Sequence, residues 1–202
     1  MSETIKVKAK ATIGLERLAM WKVLDETDES ITYDTVKELV KRIMTASYSP
    51  SVSEAELNAD NQTVDYVTES DGGELSIGVT ALDSDERCLI YGETLENGTN
   101  IENKDNMSNY VCVAYMTNRS DRLVNLYKYP KVYFTPQQES SDTKKRGSLE
   151  FKTIDLKGTA LSLLKDGNSR FVRYGVNPKS DEGKAIITAW FTEGDYYKPD
   201  SE

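Results

Sequence analysis

Residues 49–65, "SPSVSEAELNADNQTVD", alternate with period two. Ala55, Leu57 and Ala59 fall on one parity, and Glu54, Glu56, Asn58 and Asp60 on the other. Successive strand residues face opposite sides of a sheet, so the pattern predicts a strand with a small apolar face and an acid-rich face. A second segment repeats the split: Leu75, Ile77, Val79 and Ala81 alternate with Glu74, Ser76, Gly78 and Thr80. Asp71-Gly72-Gly73 between them reads as a turn. Core packing does not require rows of acids, so these faces point to a surface that uses them.

The rest of the chain is mostly strand-like. "GLERLAMWKVL" from Gly14 places Leu15, Ala19, Trp21 and Val23 on one parity and Leu18, Met20 and Leu24 on the other, the mark of a strand buried on both faces. "DETDES" (25–30) is a turn whose acids lack the spacing of a calcium loop. Val36, Leu39, Val40, Ile43 and Met44 form a helical stripe, with Thr35 and Glu38 in capping-box positions. Residues 83–95 read as a short helix capped by Asp83 or Ser84 and ended by Gly92. Residues 96–109 and 137–147 are polar loops, and 110–118 and 123–136 are strands. Residues 148–164 form a long strand with a parity slip between Phe151 and Ile154. Asp166-Gly167-Asn168 then turns the chain into "RFVRYG" as a hairpin, and Ser180 caps a helix over 180–191. Residues 1–12 form a Lys-rich arm, 13–195 one domain, and 196–202 a loose tail.

Composition removes several function classes. Across 202 residues, 34 acids face 25 bases, for a net charge of −9. That opposes holding nucleic acid by its phosphates, which needs clustered Lys and Arg. It does not oppose a surface that nucleic acid slides past. With no histidine, the commonest general base and metal ligand are missing. Cys88 and Cys112 match no metal spacing and read as buried thiols. No apolar run nears the ~20 residues of a membrane helix, and "MSETIKVKAKATIG" lacks a signal-peptide core; a soluble intracellular product is expected. Four glycosylation sequons, at Asn61, Asn97, Asn106 and Asn118, fit chance in a chain so rich in Asn, Ser and Thr.

Catalytic constellations are absent from the sequence. There is no Gly-x-Ser-x-Gly elbow, no P-loop and no Gly-x-Gly-x-x-Gly after a strand. The acid pair Asp83/Asp85 sits at a helix start, where capping accounts for it. No enzyme and no cofactor are therefore expected. Lys144, Lys145 and Arg146, with Lys157, Arg170 and Arg173 beyond, read as a solvated run or as a basic rim that meets acids of a neighbouring subunit. Tyr127, Tyr129, Tyr133 and Phe134 make an aromatic strand suited to packing or to a subunit interface.

The order of segments carries a resemblance. A Gly-Leu opening with Trp21, "ITYDTVKELVKRI", "SPSVSEAELNADNQTVDYV", "GELSIGVTALDSDER", a Tyr-rich strand pair and "GSLEFKTIDLKGTAL" follow one another over about residues 13–195. This set resembles the major tail (tail tube) proteins of long, non-contractile-tailed bacteriophages, especially of Gram-positive hosts. The first twelve residues and the 96–109 loop are particular to this sequence.

The resemblance implies a mainly β fold, an antiparallel sandwich or barrel with one short flanking helix (83–92) and an extended loop or arm. It treats 36–48 as extended rather than helical, and the extended reading is the one adopted here. It further implies a virion protein, made in the host cytoplasm, that forms stacked, hexameric rings through which DNA is ejected. The tape measure would lie inside the tube, and tail completion and distal tail proteins would meet its ends. On that reading Glu54, Glu56, Asp60 and Glu74 face the lumen, with Asn58, Ser76 and Thr80 between them, while Ala55, Leu57, Leu75, Ile77 and Val79 pack inward. Ser49, Pro50, Lys144, Lys145 and Arg146 would contact neighbouring subunits, through the 44–66 hairpin, the 137–147 loop and the arm. A baseplate or host-recognition β-sandwich is the alternative.

Overall fold

The computed structural model of the chain describes residues 10–38, 42–59, 62–137 and 153–194, and the side chains of all of these except 37, 38, 55–59 and 62–67. Among them the elements are β1 (Thr12–Glu26), β2 (Ile31–Tyr33), β3 (Lys37–Glu38), β4 (Ile43–Ala59), β5 (Gln62–Val79), α1 (Ser84–Tyr91), β6 (Thr94–Glu96), β7 (Thr99–Ile101), β8 (Tyr110–Arg119), β9 (Val124–Thr135), β10 (Ile154–Ala160), β11 (Phe171–Val176) and α2 (Asp181–Thr192). Nine of the described strands make one antiparallel sheet in the order β2-β1-β8-β9-β10-β5-β4, with β3 on β1 and β11 on β9. The fold is mainly β with two helices, one more than the family resemblance implies.

The sheet rolls, because one apolar cluster draws residues from both of its ends. Leu18 and Met20 of β1 meet Leu75, Ile77 and Val79 of β5, with Val113, Tyr129, Phe134 and Leu156 between, and Ile90 and Tyr91 of α1 close the cluster. A second cluster lies on the outer side of β1, β8 and β9, where Trp21, Ala114 and Leu126 pack beneath Trp190 and Phe191 of α2. Full burial of such side chains is worth roughly 1.5–3 kcal/mol each. Strands β1, β8 and β9 are thus packed on both faces, which explains the hydrophobic runs 18–21 and 110–116, while β9 also buries Asn125 and Lys128. A bulge at Arg17 (φ 52°) shifts the β1 register between Glu16 and Leu18. It moves Leu15 into the cluster of Leu18 and Met20, not the Trp21 cluster that simple parity predicts.

The helical stripe over 36–44 is overridden. Val36 packs against the second cluster and Ile43 against the first. One helix face could not serve two cores on opposite sides of a sheet; the described parts of the segment lie in β3 and at the start of β4, extended as adopted from the order of segments, and residues 39–41 lie outside the described residues. The turn expected at 71–73 is a bulge inside a continuous β5; the reversal lies between Ala59 and Gln62. The loop over 96–109 contains the β6–β7 hairpin, which turns at Asn97 (φ 50°) and Gly98 (φ 76°), as two-residue hairpins favour. The 166–168 turn exists, but β10 and β11 do not pair with each other. They line up end to end on β9, at residues 132–135 and 124–128 respectively. Of the expected 148–164 strand, 154–160 is strand, and the slip near Phe151 lies outside the described residues. The N-terminal arm is shorter than expected at its inner end, since Thr12 already pairs with Arg119. The tail from 196 lies outside the described residues.

Both helices start as their sequences predict. Ser180 accepts the N–H of Gly183, and the Asp83 N–H is taken by Glu86 at 2.7 Å. Gly92 ends α1 at φ 69°. Cys112 is buried and Cys88 half-buried. At the end of α2, buried Lys128 donates to the carbonyls of Glu193 (2.6 Å) and Gly194 (3.3 Å). Its ammonium also lies 4.9 Å and 5.3 Å from the rings of Trp21 and Trp190. A cation at a helix C-terminus is favourable, and the indole faces offset part of its desolvation.

At the far corner Glu93, nearly buried, takes hydrogen bonds from Arg87 and Asn100. Burial pushes its carboxyl up, but those bonds and the Arg87 charge outweigh it and hold it below the ordinary glutamate value.

Two outcomes follow from these contacts. Lys128→Ala should cost about 2–4 kcal/mol, from the cavity and two carbonyls that lose their donor, and Lys128→Met less. Urea unfolding followed by the fluorescence of Trp21 and Trp190 measures both. Because the folded Glu93 carboxyl is depressed, its stabilisation is fully present above the unfolded glutamate pKa of about 4.3 and is lost as pH falls through the lower folded value. The protection of α1 amides from hydrogen exchange, taken relative to their intrinsic rates at each pH, should therefore fall on acidification in that window, and Glu93→Gln should flatten the response.

A polar sheet face and a protruding ribbon as the candidate functional site

Strands β4 and β5 pair along almost their whole length, from Ile43↔Val79 to Ala59↔Gln62. Strand β10 supports β5 only from Gly73 to Val79. Beyond that point the two strands pair only with each other among the described residues. At roughly 3.3 Å per residue, positions 51–59 make a ribbon about 30 Å long. Such a ribbon is marginal by itself in water. Strand β4 is also the sheet edge, and its Pro50 has no N–H to leave unpaired. Ser49 and Pro50, expected at a subunit contact, are exposed at the foot of the ribbon, opposite Glu74 and Gly73.

The register defines the face turned away from the first core. Tyr110, Tyr133, Thr159, Glu74 and Ser49 form one row across five strands. Thr135, Lys157, Ser76 and Ser47 form the next, and Asp155, Gly78 and Thr45 the third. Most of these residues are exposed, and a shallow polar groove runs among Ser51, Asp71, Glu74, Thr135, Lys157 and Thr159. The face is thus rich in hydroxyls, with scattered charges of both signs. It offers no described cluster of His, Cys, Asp or Glu that would hold a metal, and no described helix is long and apolar enough to cross a membrane.

The four acids singled out in the sequence do not form a single row. Glu74 pairs opposite Ser49, whereas Glu54 pairs opposite Thr68. Positions 49 and 54 differ in strand parity, so Glu54 and Glu74, both exposed, lie on opposite faces of the hairpin. The register, not the spacing of the acids, decides this: Glu74 shares the face of Ser49, and Glu54 lies five residues further along β4; the extra residue at Gly72 is in β5, which advances three residues between the Pro50 and Val52 pairs while β4 advances two. The side chain of Glu56 and the whole of Asp60 lie outside the described residues, as do the side chains of Ala55, Leu57 and Asn58, and Lys144, Lys145 and Arg146. Leu75, Ile77 and Val79 pack inward as expected. Lys157, read in the sequence with a basic rim, belongs to the same face as Glu74. Sequence reasoning missed Thr45, Ser47, Asp155 and Thr159 as members of this face. The signal was present, since "TASYS" and "IDLKGTA" alternate as clearly as the 49–65 stretch.

No model of a known protein family matches this chain. No curated protein matches it either.

Both apolar clusters of the body are built without a described side chain from beyond Pro50 and Gly73 in the ribbon. Replacing residues 54–68 by Asn-Gly, which joins the paired Ser53 and Glu69 through a two-residue turn, should leave the body's stability within ~1 kcal/mol of the full chain. Thermal unfolding followed by circular dichroism measures it.

Proposed function

We propose that this chain is a structural subunit that polymerises into stacked, hexameric, hollow rings, and that it serves as the major tail tube protein of a long, non-contractile-tailed bacteriophage. The observation that carries the proposal is the ribbon: a long pair of strands that, among the described residues, pair only with each other beyond Gly73. An open pair of this kind reaches stability when a neighbouring chain satisfies its edges. The order of sequence segments, which resembles that of tail tube subunits, supplies the identity of the assembly.

In this reading the polar face around Glu74, Ser76 and Thr159 lines the bore, and six copies turn each position into a ring. DNA passes without being held, because stable phosphate binding needs clustered cations and this face has Lys157 set among Glu74, Asp155 and Asp71. The tape measure occupies the bore before ejection, other tail proteins meet the tube ends, and the mature location is the virion. The chain's role is mechanical, with no reaction catalysed.

Purified full-length protein, concentrated and viewed by electron microscopy, should show hollow tubes or stacked rings. A map of the tube should place Glu74 on the bore and the ribbon across the neighbouring subunit. The chain lacking 54–68 should stay monomeric. A discrete monomer or trimer that binds host cell wall would replace this reading with that of a recognition module.

A further inference from the structure

We propose that the foot of the ribbon is a built elbow, in which Gly72, Tyr48 and Arg170 fix the direction in which the ribbon leaves the sheet. Its purpose rests on the tube reading, while its geometry stands apart from it. The extra residue in β5 is Gly72, at φ 71°. A Cβ there would lie 2.0 Å from the Ala160 carbonyl oxygen at the end of β10, so the bulge is pressed against the last strand that supports β5. At Gly73 a Cβ would meet the Ser49 carbonyl at 2.4 Å and the Tyr48 ring at 2.8 Å. Only glycines fit this pair of positions.

A bulge bends its strand and raises the local twist. Left alone it would also be the softest point of the ribbon. Here it is latched. The Tyr48 hydroxyl donates to the Gly72 carbonyl at 2.9 Å. The Tyr48 ring sits 5.1 Å from that of Tyr129, which is fully buried in the first core. The Arg170 guanidinium, from the connection between β10 and β11, lies 5.0 Å from the Tyr48 ring and 5.8 Å from that of Tyr129. The bulge carbonyl is thus tied through one tyrosine to the core, and a cation from a second segment covers the joint. Aromatic pairs and cation–π contacts of this kind contribute about 0.5–1.5 kcal/mol each. Tyr48, Gly72 and Arg170 are positioning residues: they aim the ribbon, and the ribbon makes the contact. A ribbon already aimed loses less orientational freedom when a second copy of the chain receives it.

Pulsed electron paramagnetic resonance on the full chain tests this. Spin labels at Ser53→Cys on the ribbon and Thr188→Cys on α2, both exposed positions, are placed in a Cys88→Ser background. The parent should give one narrow distance distribution. Gly72→Ala, Tyr48→Ala and Arg170→Ala should shift it or broaden it to about twice the parent width, and Tyr48→Phe, which keeps the ring and loses the hydroxyl, should fall between. Circular dichroism confirms that each variant is folded; should Gly72→Ala not fold, Tyr48→Phe and Arg170→Ala decide, since they leave the backbone untouched. Folded variants should also assemble at least about tenfold more slowly. A narrow, unshifted distribution in the tyrosine and arginine variants overturns the elbow. A narrow parent distribution that broadens in the variants, in a protein that never forms rings or tubes, upholds the elbow and overturns the tube reading instead.

Discussion

A pair of β-strands satisfies only half of its backbone hydrogen-bonding groups internally, and the rest of this structure is arranged around that shortfall. In the body the sheet meets the demand by adding strands: β10 covers β5, β9 covers β10, and β8 and β1 continue the series. The rolling of the sheet follows, because the apolar faces of its two ends then share one core. The ribbon is where the series stops. From the bulge at Gly72 onward β5 has β4 on one side and no described strand on the other, and β4 pairs with no described strand but β5. A long open edge is an aggregation hazard unless it has a designated partner. Proteins usually blunt such edges by keeping them short, and this one does not.

The body has the rigidity that such an arrangement needs. Strands β1, β8 and β9 are packed on both faces, by the first core on one side and by α2 on the other. Lys128 ties the end of α2 to the sheet from within, between Trp21 and Trp190. Arg42, just before β4, binds both Asp83 and Glu86 at 2.8 Å, which fastens the start of the ribbon strand to the first turn of α1. Strand β4 is thereby held at two places, ahead of its first residue by this ion pair and at the foot of the ribbon by the tyrosines around Tyr48, so that whatever force reaches the ribbon is passed to the core rather than to a loop.

Much of the strand content was legible, because period-two alternation survives wherever one face is buried. The caps of α1 and α2 were legible too, since capping is local chemistry that Asp83, Gly92 and Ser180 carry in themselves. The failures share one cause. Asp-Gly-Gly at 71–73 has the composition of a turn, but a bulge uses the same residues, and only the pairing partner distinguishes them. The stripe from Val36 to Met44 is a sound helix signal that propensity alone would misread; the order of segments favours the extended reading, and the described parts of the segment, in β3 and β4, bear it out, with Val36 and Ile43 serving cores on opposite sides of the sheet. Position on β9, not the turn at Gly167, decides that β10 and β11 lie end to end. The acid face suffered most, because Glu54 and Glu74 sit on different strands and only the register relates their faces: Glu74 pairs with Ser49, and Glu54 lies an odd number of residues further along β4. Glu54 and Glu74 look equivalent in the sequence, and the register exchanges their faces.

The exchange changes the electrostatic argument for a bore rather than removing it. The body face that carries Glu74 also carries Asp155 and Lys157, two acids and one base, among Thr45, Ser47, Ser49, Thr135 and Thr159. A strongly acidic wall is not what a passing polyanion requires. At physiological salt, charges are screened beyond about 8 Å, so a lining acts on DNA only at close approach. What matters there is that no phosphate finds several cations in reach, since each such contact releases counterions and deepens the trap. A lone lysine bordered by carboxylates gives each phosphate one weak, compensated contact, and the hydroxyls around it give neutral ones. Such a surface is wetted and slightly negative, and it lets a polyanion move on from each contact at little cost. Sixfold repetition would preserve that property, because it multiplies the acids and the lysine together.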